Sequence, residues 1–223
     1  MSLLKRIPIH YKGELHDVRL INFLVPMDEV VNKLPTGIVA RDFNGSAMIS
    51  MVDVKLKNMR ATAFPFIRFG YRHIAFRLLI DDSAHSGGSY KGIFFLKAFT
   101  NKPLIAFGGE LMTDYNLGVA NISEDSNEVT IRQAGNRVRY CLDGSDVEPN
   151  TELESSIGAI DRAYSVLGNT LRVTQIQREK WPIRLVNCTG FENTFFSSAK
   201  LVGAFRVMET IYYDWLPPKA VTT

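Results

Sequence analysis

Alternation of apolar and polar residues recurs along most of the chain and predicts short β-strands. The first strong segment is 18–25, and the Asn44-Gly45 pair between two alternating runs predicts a β-hairpin. A second antiparallel pair is predicted to join 72–80 to 92–99 through a polar loop. Further strands are predicted around 119 and at 129–132, 138–142, 171–179, 183–191 and 204–215.

Helical periodicity is confined to a few short segments. A short helix is predicted at 27–35. A longer helix is predicted at 151–168, where Thr151 and Glu154 have the spacing of a capping box, Tyr164 lies on the apolar face and Gly168 marks the end. Many strands joined by hairpins, with few helices inserted, predict one α+β domain over residues 1–223, mainly antiparallel β, whose sheet curls into a barrel.

The segment 100–118, TNKPLIAFGGELMTDYNLG, contains the third predicted helix, with Asn101 as its predicted cap. Residues at the spacing of a buried face recur in it: Leu104, Phe107 and Leu111. Gly108 and Gly109 lie in the helix interior, where each glycine costs about 1 kcal/mol relative to Ala. We therefore expect the backbone to approach a neighbouring segment closely at these glycines.

Composition narrows the functional classes. The chain has 223 residues, 46% of them hydrophobic, and a formal net charge of +3 with 23 acidic residues among the basic ones. This balance favours neither a nucleic-acid nor a membrane partner. No apolar run has the length of a signal-peptide core or a membrane helix, so we expect a cytoplasmic protein. Cys141 and Cys188 are far apart and no histidine pair has metal-ligand spacing, so we expect no disulfide, no metal site and no cofactor.

Two basic residues on predicted strands are candidate ligand contacts. Arg77 shares one face of its strand with His73, and this face points either to solvent or into the barrel. An inward Arg77 can bind a carboxylate with two hydrogen bonds. Lys97 alternates with Phe95 in a strand that is apolar on both faces, so its amine is either desolvated or extended to water along its own side chain.

The 100–118 segment adds further candidates and a family resemblance. Glu110 lies near the C-terminal end of the helix, where the helix dipole does not favour a carboxylate, which indicates a specific role. The segment resembles acetoacetate decarboxylase, in which an Asn-x-Pro-x-Ile-Ala-x-Gly-x-Glu-Leu helix leads to a Lys-Lys pair followed by Leu-Gly. Leu117-Gly118 matches this pattern, but Tyr115 and Asn116 stand where the lysines would be.

Other segments in the same order extend the resemblance over most of residues 19 to 216. Two segments, 27–40 and 197–215, are similar to the opening and closing parts of the decarboxylase. A closer likeness is to an uncharacterised bacterial branch of the same superfamily, a domain of unknown function, through these short motifs: Ala75-Phe76-Arg77, Gly92-Ile93-Phe94-Phe95, Asp161-Arg162 and Trp181-Pro182. The resemblance implies a cone-shaped antiparallel barrel with an internal pocket and a homo-oligomeric assembly.

The departure at the lysine pair limits which activity the resemblance implies. The decarboxylase lysine acts by forming an iminium with the substrate ketone, and neither Tyr115 nor Asn116 can do so. Their hydroxyl and amide groups can still hydrogen-bond a ligand, although both are also ordinary residues of a loop after a helix. The candidate substrate-binding residues are Arg77, Lys97, Glu110, Tyr115 and Asn116, and no catalytic residue is assigned.

Three functional hypotheses follow. The first is a barrel that binds a small organic molecule bearing a carboxylate or carbonyl group, without Schiff-base decarboxylation. The second is a lyase or hydrolase of organic acids that uses Lys97, Arg77 and a carboxylate in a rearranged site. The third is a structural or partner-binding module whose barrel is filled by side chains.

Overall fold

The computed structural model describes residues 8–112, 117–179 and 181–221, with the backbone alone at 110–112 and 146. The helices are α1 (Met27–Val31), α2 (Ser83–Ser86), α3 (Pro103–Met112) and α4 (Thr151–Gly158). The first eight strands are β1 (Tyr11–Pro26), β2 (Asp42–Phe43), β3 (Ser46–Ala61), β4 (Phe69–Leu79), β5 (Gly92–Thr100), β6 (Leu117–Val119), β7 (Asn121–Asp125) and β8 (Glu128–Gln133). The remaining strands are β9 (Asn136–Asp146), β10 (Arg162–Leu167), β11 (Thr170–Arg178), β12 (Arg184–Asn193), β13 (Lys200–Val207), β14 (Ile211–Trp215) and β15 (Lys219–Ala220).

Seven strands close into a barrel in the order β1, β3, β4, β5, β10, β11 and β14, with β14 pairing back to β1. All of these pairings are antiparallel except that between β5 and β10. The strands β13, β12, β9, β8 and β7 continue the sheet outside the barrel, attached through β13 to β1. The predicted α+β class with a mainly antiparallel sheet that closes into a barrel is therefore confirmed.

Two apolar cores lie on the two faces of the barrel strands. Strand β4 shows the division: Ala75 and Leu79 pack on the inner side, whereas Ile74, Phe76 and Leu78 pack on the outer side against the additional strands. Because successive side chains of a strand point to opposite faces, this is the alternation that the sequence predicts. The face that carries Arg77 turns into the barrel.

Both predicted hairpins are present. Asn44 and Gly45 connect β2 to β3 with φ angles of +54° and +80°. Two successive positive φ angles are typical of a type I′ turn, which asparagine and glycine adopt at low cost. Strands β4 and β5 pair antiparallel across the loop that contains α2.

The prediction of one helix over 151–168 is wrong. The helix α4 ends at Gly158, and β10 follows it in place of the last helical turns. Asn150, not Thr151, caps α4, because its side chain accepts a hydrogen bond from the backbone N–H of Leu153 at 3.0 Å. Strand β10 pairs with β5 on one edge and β11 on the other, so barrel closure outweighs the local helical periodicity.

The prediction of one closing strand over 204–215 is also wrong. The segment forms β13 and β14, which pair with different parts of β1: Val207 lies opposite Val18, and Ile211 lies opposite Leu15. Between these two pairings Asp17 has a φ angle of +48°, and the register of β1 against β3 shifts. Strand β1 therefore changes its neighbour at a bulge, with one half in the barrel seam and the other beside β13.

Candidate functional site

A cavity of about 370 Å³ lies inside the barrel. Its walls come from inward side chains of β1, β3, β4, β5, β11 and β14, from α3, and from the loop between β3 and β4. The barrel is therefore not filled by side chains. Aromatic rings make up much of the lining: Tyr11, Phe64, Phe69, Tyr71, Phe95, Trp181, Tyr213 and Trp215.

The guanidinium of Arg77 is the central polar group of the cavity. Arg77 lies opposite Ser50 in the β3–β4 register and is 7% exposed. Its Nη2 donates to Ser50 Oγ at 2.8 Å, and its Nε donates to the Ser50 carbonyl at 3.3 Å. These bonds hold the guanidinium on the barrel wall and leave part of its donor fork available to a ligand.

A second arginine reaches the same cavity from the end of β11. The Nη2 of Arg178 donates to the carbonyls of Gly158 and Ile160, at 3.1 and 2.6 Å, at the C-terminal end of α4 and just after it. Its guanidinium lies over the Trp181 ring, 4.4 Å from the ring centroid. Burial lowers the pKa of Arg178 to about 10, partly opposed by the charge of Asp161, so the group stays charged at neutral pH.

Burial and repulsion between positive charges lower the pKa values of Arg77 and His73. Burial, and then the charge of Arg178, lower the pKa of Arg77 to about 9. His73, which precedes Arg77 on the same face of β4, has its pKa lowered to about 4 by burial and then by the charge of Arg77. At neutral pH the cavity therefore holds two cationic guanidinium groups and a neutral imidazole.

No acidic side chain balances the charge of Arg77 in the part of the chain that the structure describes. Neither Asp nor Glu is among the described residues that line the cavity, and none lies within 4.0 Å of Arg77. Buried charges elsewhere are paired: Arg72 donates twice to the buried Asp53, at 2.8 and 2.6 Å. Since a buried charge without a counter-ion is costly, the Arg77 end of the cavity is suited to an anionic ligand.

The helix α3 borders the cavity in an orientation that the sequence did not predict. Leu104 and Phe107, predicted to be buried, are 85% and 64% exposed. Asn101 does not cap the helix, since its Oδ1 accepts from the backbone N–H of Arg72 at 3.1 Å and ties the segment to β4. The helix turns Ile105, Gly108 and Gly109 toward the cavity instead.

The two glycines of α3 have different surroundings. A Cβ atom at Gly109 would lie 3.0 Å from the Leu117 side chain, so the predicted close approach is confirmed at this position. A Cβ atom at Gly108 would have no described atom beyond the helix's own neighbouring backbone within 4 Å. The prediction is wrong at Gly108, which faces open space in the cavity.

Lys97 does not line the cavity. Arg77 pairs with Phe95 and Phe76 pairs with Lys97, so a bulge at Leu96 adds one residue to β5 and breaks the alternation. The predicted common face of Phe95 and Lys97 is therefore wrong. Lys97 is exposed on the outer side of β5, with its Nζ 6.0 Å from the centroid of the Phe195 ring.

The remaining sequence candidates are the Glu110 side chain, Tyr115 and Asn116, which lie outside the described residues. Arg178 is not among the candidates predicted from the sequence. Its alternation with Ile176 on β11 indicates that the two side chains share one face of the strand, and both line the cavity. Trp181 is named in the sequence analysis only as part of the Trp181-Pro182 motif, not as a candidate ligand contact. Among the residues described, no group of His, Cys, Asp and Glu has the arrangement of a metal site.

No helix in the described ranges is long and apolar enough to cross a membrane. No curated protein matches the sequence.

Solved structures with the same fold are numerous and remote in sequence. An acetoacetate decarboxylase-like enzyme from Sphingomonas wittichii RW1 has a TM-score of 0.68 at 10% identity, covering 97% of this chain and 94% of that chain. Acetoacetate decarboxylase from Legionella pneumophila subsp. pneumophila str. Philadelphia 1 has a TM-score of 0.63 at 11% identity, covering 97% and 88%. The enduracididine biosynthesis enzyme MppR complexed with pyruvate has a TM-score of 0.60 at 14% identity, covering 97% and 91%.

At these identities the likeness establishes the fold and not the activity. The sequence of residues 12–214 matches the DUF2071 family, described as an uncharacterised conserved protein. The chain therefore belongs to the DUF2071 family, and its fold is the acetoacetate decarboxylase-like fold that the order of its motifs predicts.

Proposed function

We propose that the barrel binds a small organic molecule through a carboxylate or carbonyl group accepted by Arg77, without Schiff-base decarboxylation. The observation that carries this proposal is the buried Arg77 guanidinium, which faces a cavity that has no acidic side chain among the described residues. A ligand carboxylate supplies the missing negative charge and accepts from the guanidinium in the two-bond geometry that arginine favours.

The neighbouring groups support an anionic ligand. Arg178 adds a second positive charge to the same cavity, and His73 is neutral at neutral pH. Because apolar walls exclude water, the attraction between a carboxylate and these guanidinium groups is screened less than at the protein surface. Burial of the ligand therefore strengthens the charge interaction on which binding depends.

The absence of Schiff-base chemistry is part of the same proposal. No lysine lines the cavity among the residues that the structure describes, and Lys97 points away from it. A carbonyl ligand in this cavity therefore meets hydrogen-bond donors rather than an amine nucleophile.

A panel of small organic acids tests the proposal by thermal shift at constant pH and ionic strength. A ligand that binds only the folded protein stabilises it, by about 2.7 kcal/mol at a ligand concentration of 100 times Kd, and therefore raises its melting temperature. We expect at least one acid to do so, and Arg77→Met to weaken its binding at least tenfold. Arg132→Met, at an exposed site on β8, is the matched control and should bind normally. Equal binding by Arg77→Met would contradict the proposal.

A lyase or hydrolase of organic acids in the same cavity is the second candidate. It is favoured by the fold likeness to proteins described as enzymes. Borohydride reduction in the presence of acetoacetate separates the two candidates, because it traps an iminium as a stable amine. We expect no increase in mass, whereas a covalent adduct that maps to a lysine would support the enzyme.

A further inference from the structure

The cavity is larger than a short keto acid requires. At about 30 Å³ for each water-sized group, 370 Å³ is room for roughly a dozen non-hydrogen atoms. Pyruvate, with which MppR is complexed in a solved structure, would fill about half of such a space. The rest of the wall is mostly apolar, and an apolar space of this kind favours hydrocarbon over water.

Helix α3 borders the apolar part of the cavity. The helix presents Ile105 and Gly108 to the cavity, and among the described residues no atom beyond the helix's own neighbouring backbone lies within 4 Å of a Cβ placed at Gly108. A glycine in a helix interior costs about 1 kcal/mol relative to Ala. At Gly109 the contact with Leu117 accounts for glycine, whereas Gly108 lines the cavity and no such contact among the described residues accounts for its glycine.

The mouth of the cavity is also apolar. Phe64, Ile67 and Leu104 line it and are 57%, 57% and 85% exposed. Exposed side chains of this size at the rim of a cavity are typical of a binding site for an apolar group. The lining of one cavity thus combines the Arg77 guanidinium, the Gly108 backbone and an exposed apolar rim.

We infer that the ligand is an amphipathic carboxylate, with its head group on Arg77 and a hydrocarbon tail or ring that lies along α3 at Gly108. This inference rests on the proposed function and adds the class of ligand and a residue that sets its size. Burying one methylene contributes about 0.8 kcal/mol, so each added methylene tightens binding about fourfold until the tail reaches the mouth.

A series of straight-chain carboxylates from acetate to decanoate, below their micelle concentrations, tests the inference. The chain has two tryptophans, and both Trp181 and Trp215 line the cavity, so tryptophan emission reports binding at this site. We expect wild-type affinity to rise about fourfold for each methylene and then to level off. Gly108→Leu should weaken decanoate binding more than tenfold and acetate binding less than twofold, with Gly108→Ala in between.

Ser155→Leu is the matched control, because it adds the same side chain at an exposed position of α4, outside the cavity. It should retain the full chain-length dependence. Circular dichroism of each variant checks folding, and Gly108→Ala serves if Gly108→Leu does not fold. Equal affinity for short and long acids, or unchanged chain-length dependence in the folded Gly108 variants, would overturn the inference alone. Failure of every carboxylate to bind wild type would overturn the proposed function as well.

Discussion

Replacing Arg77 by Met should stabilise the ligand-free protein while abolishing its main ligand contact. Burial and the charge of Arg178 lower the pKa of Arg77 from its ordinary value to about 9. At 1.36 kcal/mol for each tenfold change in proton affinity, keeping this guanidinium charged in the barrel costs roughly 5 kcal/mol. The bonds to Ser50 offset about 1–3 kcal/mol of that cost.

The difference between these two contributions predicts that Arg77→Met raises the free energy of unfolding by about 2–4 kcal/mol, within the range for replacing buried charges by apolar side chains. Urea unfolding at neutral pH without ligand measures it, and the m-value should not change. Arg72→Met is the matched control, since the Arg72 side chain is only 11% exposed but donates to Asp53 through its Nε and Nη2. It should lose about 3–5 kcal/mol because Asp53 keeps a buried charge. A comparable loss in Arg77→Met would refute the reasoning and indicate that Arg77 already has a counter-ion.

Three further changes test other parts of the account. Lowering the pH from 6.5 to 4 should reduce the free energy of unfolding of wild type by up to roughly 3 kcal/mol, because His73 is protonated at a higher pH in the unfolded chain than in the folded one. His73→Gln should flatten this part of the plot of unfolding free energy against pH, measured by urea unfolding. Tyr140→Phe removes the hydroxyl that donates to the buried Asp53 at 2.5 Å, and should lower the free energy of unfolding by about 1.5–3 kcal/mol. Phe107→Ser should change the free energy of unfolding by less than about 0.5 kcal/mol because the side chain is exposed. A loss of about 2 kcal/mol would instead indicate that Phe107 is buried, as the sequence predicts.

Local sequence signals predicted the features that depend on local geometry. Asn44 and Gly45 predict their turn because few residues adopt positive φ at low cost. The alternation on β4 predicts that Arg77 shares a face with His73, since side-chain direction in a regular strand depends only on spacing. The order of strands and motifs along the chain then predicts the barrel.

Features that depend on distant partners were not predictable in this way. The bulge at Leu96 moves Lys97 out of the cavity, and nothing in the apolar run around it indicates an extra residue. The segment 162–167 is a strand because β5 and β11 pair with both of its edges. Gly108 and Gly109 look alike in sequence, and only the packing of Leu117 separates their roles.

The most direct measurement of the central claim is a crystal structure of the protein with a bound organic acid such as octanoate. We expect a carboxylate inside the barrel, with its oxygens about 2.7–2.9 Å from the Arg77 guanidinium nitrogens and its hydrocarbon tail beside Gly108. An acid bound outside the barrel, or an Arg77 already paired with a carboxylate of the chain itself, would contradict it.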